Sequence, residues 1–198
     1  NLLPSVLNEV FEKGKADGWE EKIFDDLKES NSLGLVRSVK QQSLDYSYDY
    51  VKMNNVTNDN KFTFQNITRV NADEKEVQKY KLKKGDFLFN TRNSFELVGK
   101  SCVFNDEKNN VLFNNNLMRV RFKNDINSHF ILYQFSSPYV KHQLGKIKSG
   151  TTNVSAIYYK SLKDVKLLIT STEHQEELVF YFDEVSEYSN QTQSKLEE

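Results

Sequence analysis

Apolar residues near the start of the chain fall at Leu3, Leu7 and Val10, with Val6 and Phe11 beside them, and the pattern stops at Gly14 and Gly18. That spacing of three and four predicts the last part of an amphipathic helix with one face to bury. At the other end, Thr172 to Gln175 has the Thr-x-x-Gln form of a capping box. Leu178, Phe182, Val185 and Leu196 then share one heptad stripe, interrupted by Ser189 and Thr192, so the segment has coiled-coil character. Two end helices that each need a partner predict an antiparallel pair, in which Leu3, Leu7 and Val10 meet Leu178, Phe182 and Val185.

Between these ends the pattern shortens to strand-length apolar runs punctuated by turn residues. Strands are expected over 48–53, 61–70, 86–92, 100–104, 117–122 and 164–170. Ile126, Phe130, Ile131 and Gln134 predict a helix that ends before Pro138, and "YVKHQLGKI" a second short one. The fold class is α+β: a mixed, mainly antiparallel β-rich domain with short helices, flanked by terminal helices. No internal repeat interrupts it, and "KGKADGW" at 13–19 is the nearest thing to a linker. The organisation by motif is a helix end at 1–17, a domain at 18–171 and the start of a second helix at 172–198. A chain of 198 residues suits one domain with attached helices.

Charge changes this picture more than composition does. The formal net charge is −1, yet residues 30–172 carry 22 of the 27 Lys and Arg and 12 of the 28 Asp and Glu, a local charge of +10. Two acidic ends bracket a basic body, which can attract a phosphate backbone whatever its sequence; an ordinary lysine-rich surface would read the same way. The single cysteine, Cys102, excludes an intramolecular disulfide or a cysteine-based zinc framework. With no long apolar run, the chain is expected to be soluble and cytoplasmic, away from any membrane.

No catalytic constellation assembles from the residue types present. The stretch "SFELVGKS" imitates the end of a phosphate-binding loop, but Ser94 stands where the first glycine belongs, and "SCVF" after Lys100 predicts a strand where a helix is required. His129, His142 and His174 are scattered with no carboxylate at ligand spacing, so no metal site is expected. Cys102 lies in an apolar strand and reads as a small buried thiol. Asp25-Asp26 and Glu176-Glu177 read as solvated helix faces.

Two polar loops remain. "NTRNS" follows the apolar Phe87-Leu88-Phe89 and sets out Thr91, Arg92, Asn93 and Ser94 before Gly99 and Lys100. Arginine presents a fork to guanine O6 and N7, asparagine matches adenine N6 and N7, and hydroxyls serve bases or phosphates. "KIKSGTTN" at 146–153 offers Lys146, Lys148, Ser149, Thr151, Thr152 and Asn153 around Gly150. Either loop alone could be a plain polar turn. Inside a basic domain the pair favours nucleic acid, with Arg92 and Asn93 as readers of bases and Lys100, Lys146 and Lys148 as grips on phosphate.

The chain resembles one half of a DNA-specificity subunit of a type I restriction-modification system: one target recognition domain with parts of the conserved helices. "YKLKKGDFLFNTRNSFELVGKSCVF" is the most specific block of the resemblance. "LLPSVLNEVFEKGK", "GWEEKIFDDL", "YVKMNNVTNDNKF", "SGTTNVSAIYYKSLKDVKLLI" and "EHQEEL" extend it almost end to end. One departure is "ITSTEHQ", which lacks the proline that commonly leads into the last helix of this bacterial family. Because the chain opens in mid-helix with Asn1, it is expected to be the second half of such a subunit.

The resemblance implies a non-catalytic reader of double-stranded DNA that recognises one half of a bipartite site. It also implies docking of modification (methyltransferase) subunits and of a restriction subunit, with S-adenosylmethionine and ATP bound by those partners and no cofactor by this chain. The alternatives are a stand-alone nucleotide-binding enzyme using the "SFELVGKS" loop and a purely structural module that dimerises through its helices.

Overall fold

A computed structural model describes residues 2–197, with side chains described through residue 192. Leu196 of the heptad stripe lies outside the described side chains. In chain order the elements are α1 (Leu3–Ala16), β1 (Glu20–Ile23), α2 (Phe24–Leu27), β2 (Lys28–Leu33), β3 (Tyr48–Val51), β4 (Thr68–Val70) and α3 (Glu74–Tyr80). There follow β5 (Phe87–Asn90), β6 (Arg92–Asn93), β7 (Ser101–Val103), β8 (Val111–Phe113) and β9 (Leu117–Phe122). The last are α4 (Ser128–Ser136), α5 (Pro138–Ile147), β10 (Ser149–Gly150), β11 (Ser155–Ala156), α6 (Tyr159–Leu162), β12 (Lys166–Ile169) and α7 (Thr172–Glu197). The fold is α+β, as the patterning predicts.

These elements form two compact units that cut across the division by motif. A helical unit comprises Asn1–Lys28, Phe122–Ile147 and Tyr159–Glu198; a β-rich unit comprises Glu29–Arg121 and Lys148–Tyr158.

In the helical unit α1 and α7 run antiparallel. The Leu2 N–H donates to Ser189 Oγ at 3.2 Å, the Phe11 ring lies 5.8 Å from that of Phe182, and Trp19 meets His174 edge-on at 5.3 Å. Leu7, Leu178 and Phe182 are buried, while Leu3, Val10 and Val185 are half-buried. Phe11 is the more central contact, because its ring also packs 5.8 Å from Phe130 of α4. Gly14 keeps α1 open to Trp19: a Cβ there would come within 2.5 Å of the indole ring.

The same unit pairs β1 antiparallel with β12, Glu20 opposite Ile169 through Ile23 opposite Lys166. The outer edge of β12 is satisfied by helix glutamines in place of a third strand. Gln134 donates to the Leu168 carbonyl and accepts its N–H, both at 2.8 Å, and Gln143 does the same for Lys166 at 3.0 and 2.9 Å.

The predicted capping box at α7 is corrected. Ser171 is the residue whose hydroxyl accepts the His174 N–H, at 3.3 Å. Gln175 is fully buried, accepting from the Asn127 N–H and donating to the carbonyls of Asp125 and Thr170. The Gln175 amide oxygen is taken up by the Asn127 N–H, so the reciprocal bond of a capping box is not made.

The β-rich unit contains three sheets, of order β2-β9-β5-β7, β4-β3-β8 and β10-β11-β6. β5 pairs antiparallel with β7 and β9, β3 with β4, and β11 with β10 and β6, whereas β3 and β8 are parallel. Its core includes Val51, Val56, Leu82, Leu88, Cys102, Phe104, Val111, Phe113 and Leu117. Two buried carboxylates bind strands together: Asp49 accepts from Arg69 and Lys108, each at 2.8 Å, and Asp86 accepts from Arg121 at 2.7 and 3.1 Å.

The strand expected over 61–70 survives only as Thr68–Val70. Asn60 and Asn66 adopt φ of 60° and 55°, a left-handed conformation that ends a strand and that asparagine tolerates better than most residues. Phe62 and Phe64 are used instead as rings against Phe104. The patterning also omits β1, β2, β8 and α3; the last carries a capping box between Asp73 and Glu76.

Candidate nucleic-acid interface

The site begins where β5 stops being apolar. Phe87 to Asn90 are fully buried between β9 and β7, which fixes the base from which the loop departs. Thr91 is held at three points: its N–H and hydroxyl both donate to the Asn116 carbonyl, at 2.9 and 3.0 Å, and its own carbonyl accepts from Ile157 at 3.0 Å. After β6, the Ser94 carbonyl accepts from Leu97 and Val98 and turns the chain. Gly99, at φ +94°, returns it, and the Gly99 N–H donates to Asn90 while Asn90 donates to Lys100. The excursion 91–99 thus has a neck closed by backbone hydrogen bonds.

The second polar loop joins the first. In β10-β11-β6, Ala156 pairs with both Ser149 and Arg92, and Ser155 with both Gly150 and Asn93. The tight return between β10 and β11 requires Gly150, whose φ is +121° and where a Cβ would fall 2.3 Å from the Val154 carbonyl. Ser155 is buried and its hydroxyl donates to Thr151 at 2.6 Å. Further latches run from the Phe95 N–H to the Thr152 carbonyl at 2.9 Å and from Lys148 Nζ to the Phe95 carbonyl at 2.6 Å. Two stretches far apart in sequence therefore make one small sheet.

Arg92 is exposed, and among the described residues its guanidinium has no hydrogen-bond or ion-pair partner. Asn93 is half-buried, with Oδ1 accepting from the Ser94 N–H at 2.9 Å. Ser149, Thr151, Thr152 and Asn153 are exposed. Of the lysines, Lys148 belongs to this cluster, where burial pushes its pKa down. Lys100 stands at the neck, donating to the Val56 carbonyl at 2.7 Å and to Asn58 Oδ1 at 3.4 Å; burial pushes it down as well. Lys146 is exposed in the last turn of α5, in the helical unit, and so belongs to the other body.

Two neighbours complete the site: Asn90, which opens the "NTRNS" loop, and Phe95, which the sequence reading missed. Asn90 is fully buried, accepts the Arg92 N–H on Oδ1 at 3.3 Å and has no partner for Nδ2. Phe95 stands 46% exposed between polar Ser94 and Glu96, outside any strand-length apolar run.

The charge of the β-rich unit is +5, from 16 Lys and Arg against 11 Asp and Glu. The phosphate-loop alternative loses its geometry: Gly99-Lys100 leads into the three-residue strand β7, where that motif requires a helix. Cys102 is buried, its pKa pushed up to about 12 by desolvation. Among the described residues no group of three potential metal ligands occurs, and no helix is long and apolar enough to cross a membrane.

A small sheet of polar loops on a basic β-rich unit, and a helical unit that draws on both chain ends, make up an α+β fold. The family described as type I restriction modification DNA specificity domain matches residues 16–198, and the chain belongs to that family. A Methanocaldococcus jannaschii protein described as the MjaX type I restriction enzyme specificity subunit is 26% identical over 164 residues, covering 82% of this chain and 38% of its own length. A solved chain of a type I restriction-modification system, at 20% identity, superposes over 99% of this chain and 46% of its own length with a TM-score of 0.75. The HsdS subunit from Thermoanaerobacter tengcongensis, at 15% identity, covers 93% of this chain and 44% of its own with a TM-score of 0.64. The present chain spans less than half the length of these relatives.

Proposed function

We propose that this chain reads one half of a bipartite double-stranded DNA site as part of a type I specificity subunit. The observation that carries the reading is the joining of both polar loops in β10-β11-β6, with the unpartnered guanidinium of Arg92 on its outer strand. Strands about 4.8 Å apart make β6 and β11 a ribbon of the kind the major groove admits. Arg92 then addresses guanine O6 and N7, and Asn93, Thr152 and Asn153 supply amide and hydroxyl contacts to bases or phosphates. Lys100, Lys146 and Lys148 supply charge for phosphate.

The chain makes no covalent change to DNA in this reading. Modification subunits that methylate adenine dock on the helical unit, and a restriction subunit joins them. S-adenosylmethionine and ATP belong to those partners.

The test is methylome sequencing of a strain expressing the full-length protein with its methyltransferase. A bipartite adenine motif should appear, and exchange of residues 29–158 for those of a relative should change one half of it. A motif indifferent to the exchange would overturn the proposal, as would a full-length protein that fails to copurify with modification subunits.

A further inference from the structure

Phe95 is the apolar exception in the polar cluster. Its ring is 46% exposed, and Val154, on the loop latched to it, is 63% exposed. Exposed apolar residues are common singly, and exposure alone means little. Here the main chain is held on both sides by the other loop: the N–H donates to Thr152, and the carbonyl accepts from Lys148. The Lys148 ammonium also stands 4.7 Å from the ring centroid, a cation-π distance. The ring therefore projects from a braced turn, three residues after the unpartnered guanidinium of Arg92.

A phenyl ring has no donor or acceptor with which to read a base edge. Against stacked base pairs it can act by inserting at a step, partly unstacking it, as apolar side chains do in DNA-bending proteins. Such a wedge needs a rigid base, because a flexible turn would fold the ring away. It also needs positive charge close by to hold the backbone on either side of the opened step. The latches supply the first, and Arg92 and Lys148 the second.

Resting on the DNA-reading function above, we propose that Phe95 is a wedge that inserts at a base step within the half-site, with Lys148 as its positioning residue. The sequence dependence of unstacking then adds specificity at a step that no hydrogen bond reads.

The experiment uses the full-length protein with its modification subunits, and duplexes bearing the half-site defined by methylation mapping, with 2-aminopurine placed at each position in turn. Wild type should raise the fluorescence at one step only. Phe95→Ala should abolish that rise and weaken cognate binding about tenfold, the scale of one lost aromatic stacking contact. Phe95→Leu, which keeps an apolar wedge, should retain most of the rise, and Lys148→Met should broaden it over neighbouring steps. Affinity for a scrambled duplex should change less than about twofold in Phe95→Ala and Phe95→Leu, which leave the phosphate contacts untouched.

A rise that persists in Phe95→Ala, or wild-type binding without any rise, overturns the wedge while leaving DNA reading intact. Loss of Phe95-dependent binding on replacing thymine by uracil, with no fluorescence change, makes the ring a methyl contact and also overturns it. A wild-type complex that binds cognate and scrambled duplexes alike overturns the DNA reading itself.

Discussion

Phe11 of α1 and Phe182 of α7 place their ring centroids 5.8 Å apart, joining the two ends of the chain within one unit. Both rings are buried, and each is in further aromatic contact with α4, through Phe130 and Tyr133 respectively. Phe182→Ala should therefore lower stability by about 3 to 5 kcal/mol, as for a large core ring removed from a three-helix contact. Leu178→Asp should cost about 2 to 4 kcal/mol through a buried charge without a partner. Urea unfolding followed by circular dichroism measures both. A loss below 1 kcal/mol for either would mean that the helix pair adds little to the folded state.

Arg92 and Lys146 should separate reading from gripping. Arg92→Ala is expected to cost about 1 to 3 kcal/mol on the cognate half-site and to relax preference at one base pair. Lys146→Ala should weaken all sequences alike and reduce the salt slope by about 1. Titrations of cognate and scrambled duplexes across a salt series give both quantities. Equal losses on both duplexes for Arg92→Ala would assign that side chain to the backbone.

Gly150 offers a local test of the joined loops. An alanine there must adopt φ near +121° and place its Cβ against the Val154 carbonyl, so the β10 to β11 return should break while the core of the β-rich unit stays intact. Gly150→Ala should keep its cooperative melt and lose discrimination between cognate and scrambled DNA. Hydrogen exchange should show loss of protection confined to Thr151, Val154 and Phe95, whose N–H groups donate within this return or across it.

Asp49 makes stability depend on acid. Burial by itself pushes its carboxyl up, but the hydrogen bonds and charges of Lys108 and Arg69 outweigh burial and hold it below the ordinary aspartate value. A depressed carboxylate contributes its full stabilisation above the unfolded value of about 3.9, and loses it as the pH falls through the lower folded value. Asp49→Asn should cost about 1 to 2 kcal/mol at pH 7, toward the lower end because both cations are partly in water. Its stability should fall less steeply than wild type below about pH 4. Denaturation midpoints from pH 7 to pH 2.5 check this, and parallel acid limbs would argue against it.

Local patterning predicted much of this architecture because much of it is local. Leu7, Leu178 and Phe182 stand out by helical spacing, and Phe87 to Phe89 by their continuous apolar run. Phe11 was underweighted because a single stripe assumes one partner helix, whereas α1 packs on both α7 and α4 and needs a wider face. The glutamines fared worst. Gln134 and Gln143 show no sign in the sequence of their partners on β12, and Gln175 reads as a local cap until its partner Asp125 is known. At the candidate site both loops were legible as polar excursions, but their joining was not. β6 and β11 contribute two residues each, too short for any periodicity, and their pairing depends on contacts remote in sequence. That remoteness also hid the carbonyls that engage Lys100 and Lys148.

The backbone departs from the helical unit twice, after Lys28 and after Ile147, and comes back at Phe122 and Tyr159. Both detours supply strands to β10-β11-β6, so they form one heritable trait written in two places. A recombinant gene that acquired residues 29–121 from another lineage would pair its new residues 92 and 93 with the old Ser155 and Ala156. Only exchange across the whole stretch 29–158 keeps the two halves of the sheet from the same ancestor, and α4 and α5, encoded between them, hitchhike in descent with a trait they do not carry.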